Sequence, residues 1–439
     1  MSRDWKKIEK FPVGIIEVPP SKSVLHRVAI CSGLAGEIIP NKNYSDDVVA
    51  TINGLKNILD KKGIVDCGES GSTLRFLIPV ALVLGIKVKF FGHGRLFKRP
   101  MEEYYRELQL HGGNIELGEN SVTVSGKLLP SIYTLPGNIS SQYISGLLMA
   151  LPLANGNSTL IIEGQMASFP YVDITLDVMK NYGVEIKNIE NGYEIKGGRR
   201  YLKSTIPEEG DWSGAAFFLV AAALGRDVKV SGLNWNSKQG DKRIVDILEA
   251  CGCKVIRDKD GDIKVEGAKS QDEQVIKDKL EEEKQDAILN NLNGKYKMIN
   301  HKNELEGYPT GKRIKGIDID MSDIPDLVPP VAALLSFANG TSHLTGISRL
   351  KYKESNRIVS ISEGLKALGA DIKANDNEIV INGREYLQGG RVNSYGDHRI
   401  AMMAAVAAIG CKEDVYVSDP ECVRKSYPDF WKDFEKDAK

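Results

Sequence analysis

The chain has 439 residues, 42% of them hydrophobic and 27% charged, with a formal net charge of -1. That length and mixture suit a globular protein of two or three domains and exclude a disordered or fibrous chain, while a charge so near zero excludes the broad basic field of a nucleic-acid or membrane-surface binder. No window approaches the ~18 apolar residues of a membrane span, and the charged start MSRDWKKIEK has no apolar run behind it, so a cytoplasmic protein is expected.

In chain order, the strand-like IEKFPVGIIEVP is followed by PPSKSVLHRVAICSGLAGE, a helix with Ser21 at its N-cap position and Lys22, Ser23 and Arg27 in its first turns. DKKGIVDCGES comes next and leaves no room for a hairpin. From GESGSTLRFLIPVALVLGIKVKFFG onward two patterns alternate. One is an Ala/Leu-rich helix, apolar all round and therefore buried, which ends at Gly85, Gly156, Gly225, Gly340 or Gly410 and leads into one strand. The other is an amphipathic helix ending at Gly112, Gly183, Gly252 or Gly369, where a left-handed C-cap is needed, followed by two alternating strands around a polar turn.

Both series step by about 70 residues, and both lengthen by about 46 between Gly252 and Gly340, which marks residues 268–314 as a polar insertion. Six units of this kind predict an α+β repeat fold of two domains with buried central helices. Residues 20–209 would form one domain, inserted into another made of residues 1–19 and 210–439. The sixth unit has no hairpin of its own, and IEKFPVGIIEVP is expected to supply it.

Each apolar helix opens on a polar cluster, and a helix N-terminus offers free N–H groups and the positive end of a dipole to anions. The clusters are Lys22, Ser23 and Arg27; Gly71, Ser72, Thr73 and Arg75; Ser140, Ser141 and Gln142; and Asp397, His398 and Arg399. Capping explains the serines and the aspartate but not Lys22 or Arg399, since a cation is disfavoured at that end of a helix. Arg99 and Lys425 add cations shortly before prolines, and LKYKESNRI sets Lys351, Lys353 and Arg357 around Glu354. A carboxylate held among cations can carry a proton if the site tunes it. Asp323, in DMSDIPDLVPP, reads equally as such an acid or as a helix cap. Six cysteines without C-x-x-C spacing and six scattered histidines point to no metal, and no nucleotide-binding glycine motif points to a cofactor.

SKSVLHR, GESGSTLR, KRPM, SSQYISGLL, PYVDITL, EGDWSGAAFFL, QGDKR, SDIPD, KESNR, YGDHR and RKSYPDF stand in the order and register of the 5-enolpyruvylshikimate-3-phosphate synthase family, which the chain resembles over nearly all its length outside the insertion. The resemblance implies two domains, each of three βαβαββ units. It also implies transfer of the enolpyruvyl group of phosphoenolpyruvate to the 5-hydroxyl of shikimate 3-phosphate, with release of phosphate, by a monomer that needs no cofactor. By the same resemblance Ser23, Arg27, Ser140, Ser141, Gln142, Ser168, Tyr171 and Lys353 hold shikimate 3-phosphate. Lys22, Gly71, Arg99, Arg357, Arg399 and Lys425 surround phosphoenolpyruvate, with Gln142 shared. Asp323 accepts the hydroxyl proton, Glu354 exchanges a proton with the methylene carbon, and Lys22 offsets charge.

Three features depart from the family pattern: Arg349 stands where asparagine is frequent, Glu69 and Ser70 replace Asn-Ala, and the insertion is additional. Gly71 is the position tied to glyphosate sensitivity, so inhibition by glyphosate is expected. The sister family, UDP-N-acetylglucosamine enolpyruvyl transferase, would carry Lys-Asn where Lys22-Ser23 stands and a reactive cysteine where none occurs between Cys67 and Cys251. A non-catalytic phosphate-binding protein of this fold would be expected to lose the acids.

Overall fold

The computed structural model describes residues 4–259, 261–267, 296–298 and 314–436, so the expected insertion lies outside the described residues except for the backbone of Tyr296–Met298 and for Ile314. The helices that are apolar on every side each become the crossover between two parallel strands, which buries them from all directions. Gly71–Val83 joins Ile64–Asp66 to Val88–Phe91, and Ser141–Ala150 joins Ile132–Pro136 to Ser158–Glu163. Val328–Leu335 and His398–Ala407 do the same for Ile317–Asp320 with Thr341–Thr345 and for Gly390–Val392 with Val415–Ser418. In Trp212–Ala223 and Val328–Leu335 every residue is buried.

A second helix and an antiparallel hairpin complete each of four units. The hairpins are Gly113–Gly118 with Ser121–Gly126, Lys187–Ile189 with Gly192–Ile195, Lys254–Arg257 with Ile263–Glu266, and Asp371–Ala374 with Glu378–Asn382. The glycine ahead of each lies in the left-handed region, with φ of 99° at Gly112, 77° at Gly183, 87° at Gly252 and 94° at Gly369. There it closes the preceding helix without the cost a Cβ would bring. The order of elements is βαβαββ.

Two places differ from the sequence reading. The N-terminal stretch does not form one hairpin, because Pro12 and Gly14, at φ 77°, break it. Trp5–Lys7 pairs antiparallel with Val415–Ser418 and completes the sixth sheet, while Gly14–Glu17 runs parallel to Val228–Ser231 as the leading strand of the fourth unit. Residues 20–209 thus enter between that strand and its own crossover helix. The first unit keeps its helices, Lys22–Leu34 and Asp46–Leu59, and neither belongs to a βαβ crossover among the described residues.

Contacts divide the chain into two compact units, Met1–Pro19 with Gly210–Ser237 and Asp241–Lys439, and Pro20–Glu209 with Lys238–Gly240. Each has its own core. Phe217 and Phe218 pack with Tyr427, Phe430 and Phe434 in the first unit, and Tyr104 stacks on Tyr143 at 4.5 Å in the second. A buried ring of this size contributes roughly 1.5–3 kcal/mol.

Candidate active site

In the unit formed by residues 20–209 the starts of four helices carry the expected polar residues. Lys22, the first residue of its helix, pairs with Asp47 at 3.0 Å. Ser21 holds the N-cap position, but its hydroxyl does not cap; it donates to Gln239 Oε1 at 2.8 Å. Arg27, one turn further on, is buried and binds Thr175 Oγ1 at 2.6 Å, the Ser23 carbonyl at 2.6 Å and the Tyr171 carbonyl at 2.8 Å. Burial lowers its pKa to about 10, so it is still charged at neutral pH. Every hydrogen bond described for it ends on a neutral oxygen.

Beside this, Arg75 donates to Gln142 Oε1 at 2.8 Å, and Gln142 Nε2 donates to Ser72 Oγ at 2.8 Å. A Cβ on Gly71 would lie 2.5 Å from Nη1 of Arg75 and 2.7 Å from Nη1 of Arg99, so only glycine lets both guanidinium groups close over that helix start. Arg99 is extended, at φ -80° and ψ 144°, as its place before Pro100 requires. Ser140 caps its helix by accepting from Gln142 N, and Ser141 is buried behind it. Ser168 is a buried left-handed residue, φ 58°, just ahead of Phe169–Asn181, a conformation that costs about 1–3 kcal/mol and recurs at functional sites. A buried cation satisfied only by neutral groups lacks its counter-charge. Arg27 and Arg75 both fit that description.

The other unit gathers charge differently. Asp326 receives Arg357 Nη1 at 2.8 Å, Lys353 Nζ at 3.1 Å and Arg399 Nη2 at 3.1 Å. Burial would raise this carboxyl, but Arg399, Lys353 and Arg357 hold it well below the ordinary carboxylate range. Arg357, only 1% exposed, also binds Glu354 Oε2 at 2.6 Å and both oxygens of Asp397, at 2.8 and 3.1 Å. Asp397 caps its helix through Arg399 N at 3.0 Å, so capping and charge pairing share one carboxylate. Lys425 Nζ donates to the Gly396 carbonyl at 2.7 Å, and Arg349 to the Ser322 carbonyl at 2.6 Å.

Lys353 and Arg357 do not share a helical face. Lys353 is extended and the helix begins at Arg357, so the two cations meet on Asp326 through the intervening turn. Asp323 acts on the charge of Arg243. The sequence reading did not single out Asp326. Both aspartates flank the same Ile-Pro pair in SDIPDL, and spacing alone offers nothing to choose between them. Asp47 was missed as well, for it lies 25 residues from its lysine.

Among the described residues no group of three or more His, Cys, Asp or Glu could hold a metal ion, and no helix is long and apolar enough to cross a membrane. The βαβαββ repeat is the fold of solved enolpyruvyl transferases. The EPSP synthase of Acinetobacter baumannii superposes with a TM-score of 0.70 at 23% identity, over 98% of this chain and 97% of that one. The enolpyruvyl transferase NikO of Streptomyces tendae does so with 0.67 at 13% identity, over 98% and 96%.

Sequence narrows the class. A profile of the family described as EPSP synthase (3-phosphoshikimate 1-carboxyvinyltransferase) matches residues 8–283 and 261–434. The chain is also 37% identical to the 3-phosphoshikimate 1-carboxyvinyltransferases of Clostridium perfringens strain SM101 and Clostridium novyi strain NT, covering 96% of this chain and 95% and 94% of theirs. The chain belongs to the EPSP synthase family and is an enzyme, a transferase.

Proposed function

We propose that the two charge clusters serve the two anionic substrates of one reaction and that Asp326, rather than Asp323, takes the proton of the attacking hydroxyl. The reaction is enolpyruvyl transfer from phosphoenolpyruvate to shikimate 3-phosphate in the shikimate pathway. The observation that carries the assignment is the set of cations converging on Asp326.

Arg27, Ser23, Ser140, Ser141, Gln142, Ser168, Tyr171 and Lys353 hold shikimate 3-phosphate in this reading. Lys22, Gly71, Arg99, Arg357, Arg399 and Lys425 hold phosphoenolpyruvate, and Arg75 orients Gln142. As the donor's phosphate and carboxylate take over Arg357 and Arg399, and shikimate 3-phosphate takes over Lys353, Asp326 loses the charges that depress its proton affinity and becomes a competent base. It then accepts the proton of the 5-hydroxyl as that oxygen bonds to the central carbon of phosphoenolpyruvate. Glu354, released from Arg357 by the same exchange and protonated from water, delivers that proton to the methylene carbon, giving a tetrahedral intermediate. It takes a proton back as the bond to phosphate breaks, Asp326 passes the hydroxyl proton to the leaving phosphate, and Lys22 offsets the charge on that group. One chain supplies every residue named, so the reading is of a monomer, and of one that works in the cytoplasm.

The test is phosphate release from phosphoenolpyruvate with shikimate 3-phosphate, run beside UDP-N-acetylglucosamine. Release with the first acceptor alone supports the reading, and release with the second alone overturns it. Gel filtration at the monomer mass checks the oligomeric state.

A further inference from the structure

The helices Lys22–Leu34 and Asp46–Leu59 face each other through a ladder of two polar rungs. The first is the ion pair of Lys22 with Asp47 at 3.0 Å, and the second is the contact of His26 Nδ1 with Thr51 Oγ1 at 2.7 Å. On each helix the two side chains are four residues apart and so share a face. Thr51 Oγ1 also lies 2.7 Å from Thr73 Oγ1, and Thr73 donates to Ser70 Oγ at 2.8 Å, the hydroxyl that caps the third helix, Gly71–Val83. His26, Thr51, Thr73 and Ser70 are all buried, so water does not compete for these bonds.

Counting hydrogens fixes the direction of the chain. A hydroxyl has one hydrogen to donate, and a neutral imidazole has one N–H. Thr73 gives its hydrogen to Ser70, so Thr51 donates to Thr73, and the contact between His26 and Thr51 takes its hydrogen from Nδ1. Nε2 is left as a bare acceptor, in agreement with its lack of a hydrogen-bond partner in the protein, where a buried N–H would be stranded. Burial, then the charges of Lys22 and Arg27, hold the pKa of His26 well below the ordinary histidine range, so the ring is neutral. It stands edge-on to Phe76 at 6.3 Å, and the Arg27 guanidinium lies over the same phenyl ring at 5.1 Å.

We propose that His26, neutral and protonated on Nδ1, is a positioning residue for the turnover of phosphoenolpyruvate and acts through Thr51. The second rung sets the register of the two helices, and with it the place at which Asp47 holds Lys22 Nζ. The extension through Thr73 to Ser70 ties the same register to the helix start at Gly71. An apolar pair at this rung would fill the space without setting the register, because apolar contacts have no direction. The inference rests on the assignment of Lys22 and Gly71 to phosphoenolpyruvate made above.

The test compares Thr51→Val, which keeps the shape and removes the hydroxyl, with Thr51→Ser, which keeps the hydroxyl. Thr51→Val should lower kcat/KM for phosphoenolpyruvate by about tenfold or more and leave KM for shikimate 3-phosphate nearly unchanged, and Thr51→Ser should restore the parent values. In a double-mutant cycle with Asp47→Asn the two losses should not add, since both act on Lys22. If Thr51→Val fails to fold, His26→Leu and His26→Asn make the same comparison, because an asparagine amide can donate from the place of Nδ1. Nitrogen NMR of histidine-labelled protein should find the proton on Nδ1 of the resonance that His26→Asn removes. Lys22→Met separates two failures. A loss there beside parent values in Thr51→Val and His26→Leu would overturn the relay and leave the site assignment standing, whereas parent values in Lys22→Met would overturn both. Losses that add in the cycle, or a proton found on Nε2, would also overturn the proposal.

Discussion

Arg357 Nη2 donates to Glu354 Oε2 at 2.6 Å, and the same guanidinium is held by Asp326 and Asp397. The acid proposed to move the methylene proton is thus parked on a cation until an anion displaces it. Glu354→Gln keeps the shape and the hydrogen bond but cannot carry the proton. Its kcat should fall by about 10²–10⁴-fold, with phosphoenolpyruvate affinity changed far less. Single-turnover phosphate release and equilibrium titration separate the two quantities, and a kcat near that of the parent would remove Glu354 from the mechanism.

Asp326 and Asp323 offer a direct comparison. Asp326→Asn should lose about 10²-fold or more in kcat, while Asp323→Asn should stay within a few-fold of the parent. Steady-state rates of both variants, each checked for folding by thermal melting, decide between them. The reverse ranking would restore the role to Asp323.

At Gly71 an added methyl group meets the guanidinium groups of Arg75 and Arg99. Gly71→Ala should raise KM for phosphoenolpyruvate by about tenfold or more, the loss of roughly 1.4 kcal/mol of binding, and leave KM for shikimate 3-phosphate nearly unchanged. Glyphosate should inhibit the parent in competition with phosphoenolpyruvate and inhibit the alanine variant less. An inhibition constant equal in both proteins would show that this helix start does not read the inhibitor.

Asp241 is buried and accepts from Ser213, while its Oδ1 has no hydrogen-bond partner. Burial, then the charge of Asp326, pushes its pKa up to about 7. An unfolded aspartate titrates near ~3.9. Between about pH 4 and 7 the folded protein therefore holds a proton that the unfolded chain has released, so this group's contribution to stability falls as pH rises across that window and is flat above it. Asp241→Asn should abolish that slope and be the more stable protein at pH 8. Urea denaturation at pH 5 and pH 8 measures it, and an unchanged slope would contradict the assignment.

Much of the fold was legible because the signals were local and repeated. Helices apolar all round had to be buried, and a glycine at each helix end had to precede a hairpin. IEKFPVGIIEVP was legible as strand and Trp5–Lys7, just ahead of it, was not, since no local feature tells that short segment that its partner is Val415–Ser418. At the site the cations at helix starts stood out because they oppose the helix dipole. Their partners did not: Asp47 and Asp326 are ordinary acids in sequence, and only the folded chain brings them to Lys22 and to Lys353, Arg357 and Arg399.

The antiparallel pairing of Trp5–Lys7 with Val415–Ser418 joins two strands about 400 residues apart along the chain. At ~5–20 residues per second the strand waits about 20–80 s for its partner after leaving the ribosome. A chain cut short anywhere before Val415 therefore keeps an unmatched strand at its start, with backbone groups open to chaperones and proteases. That sheet thereby reports whether translation has passed Ser418.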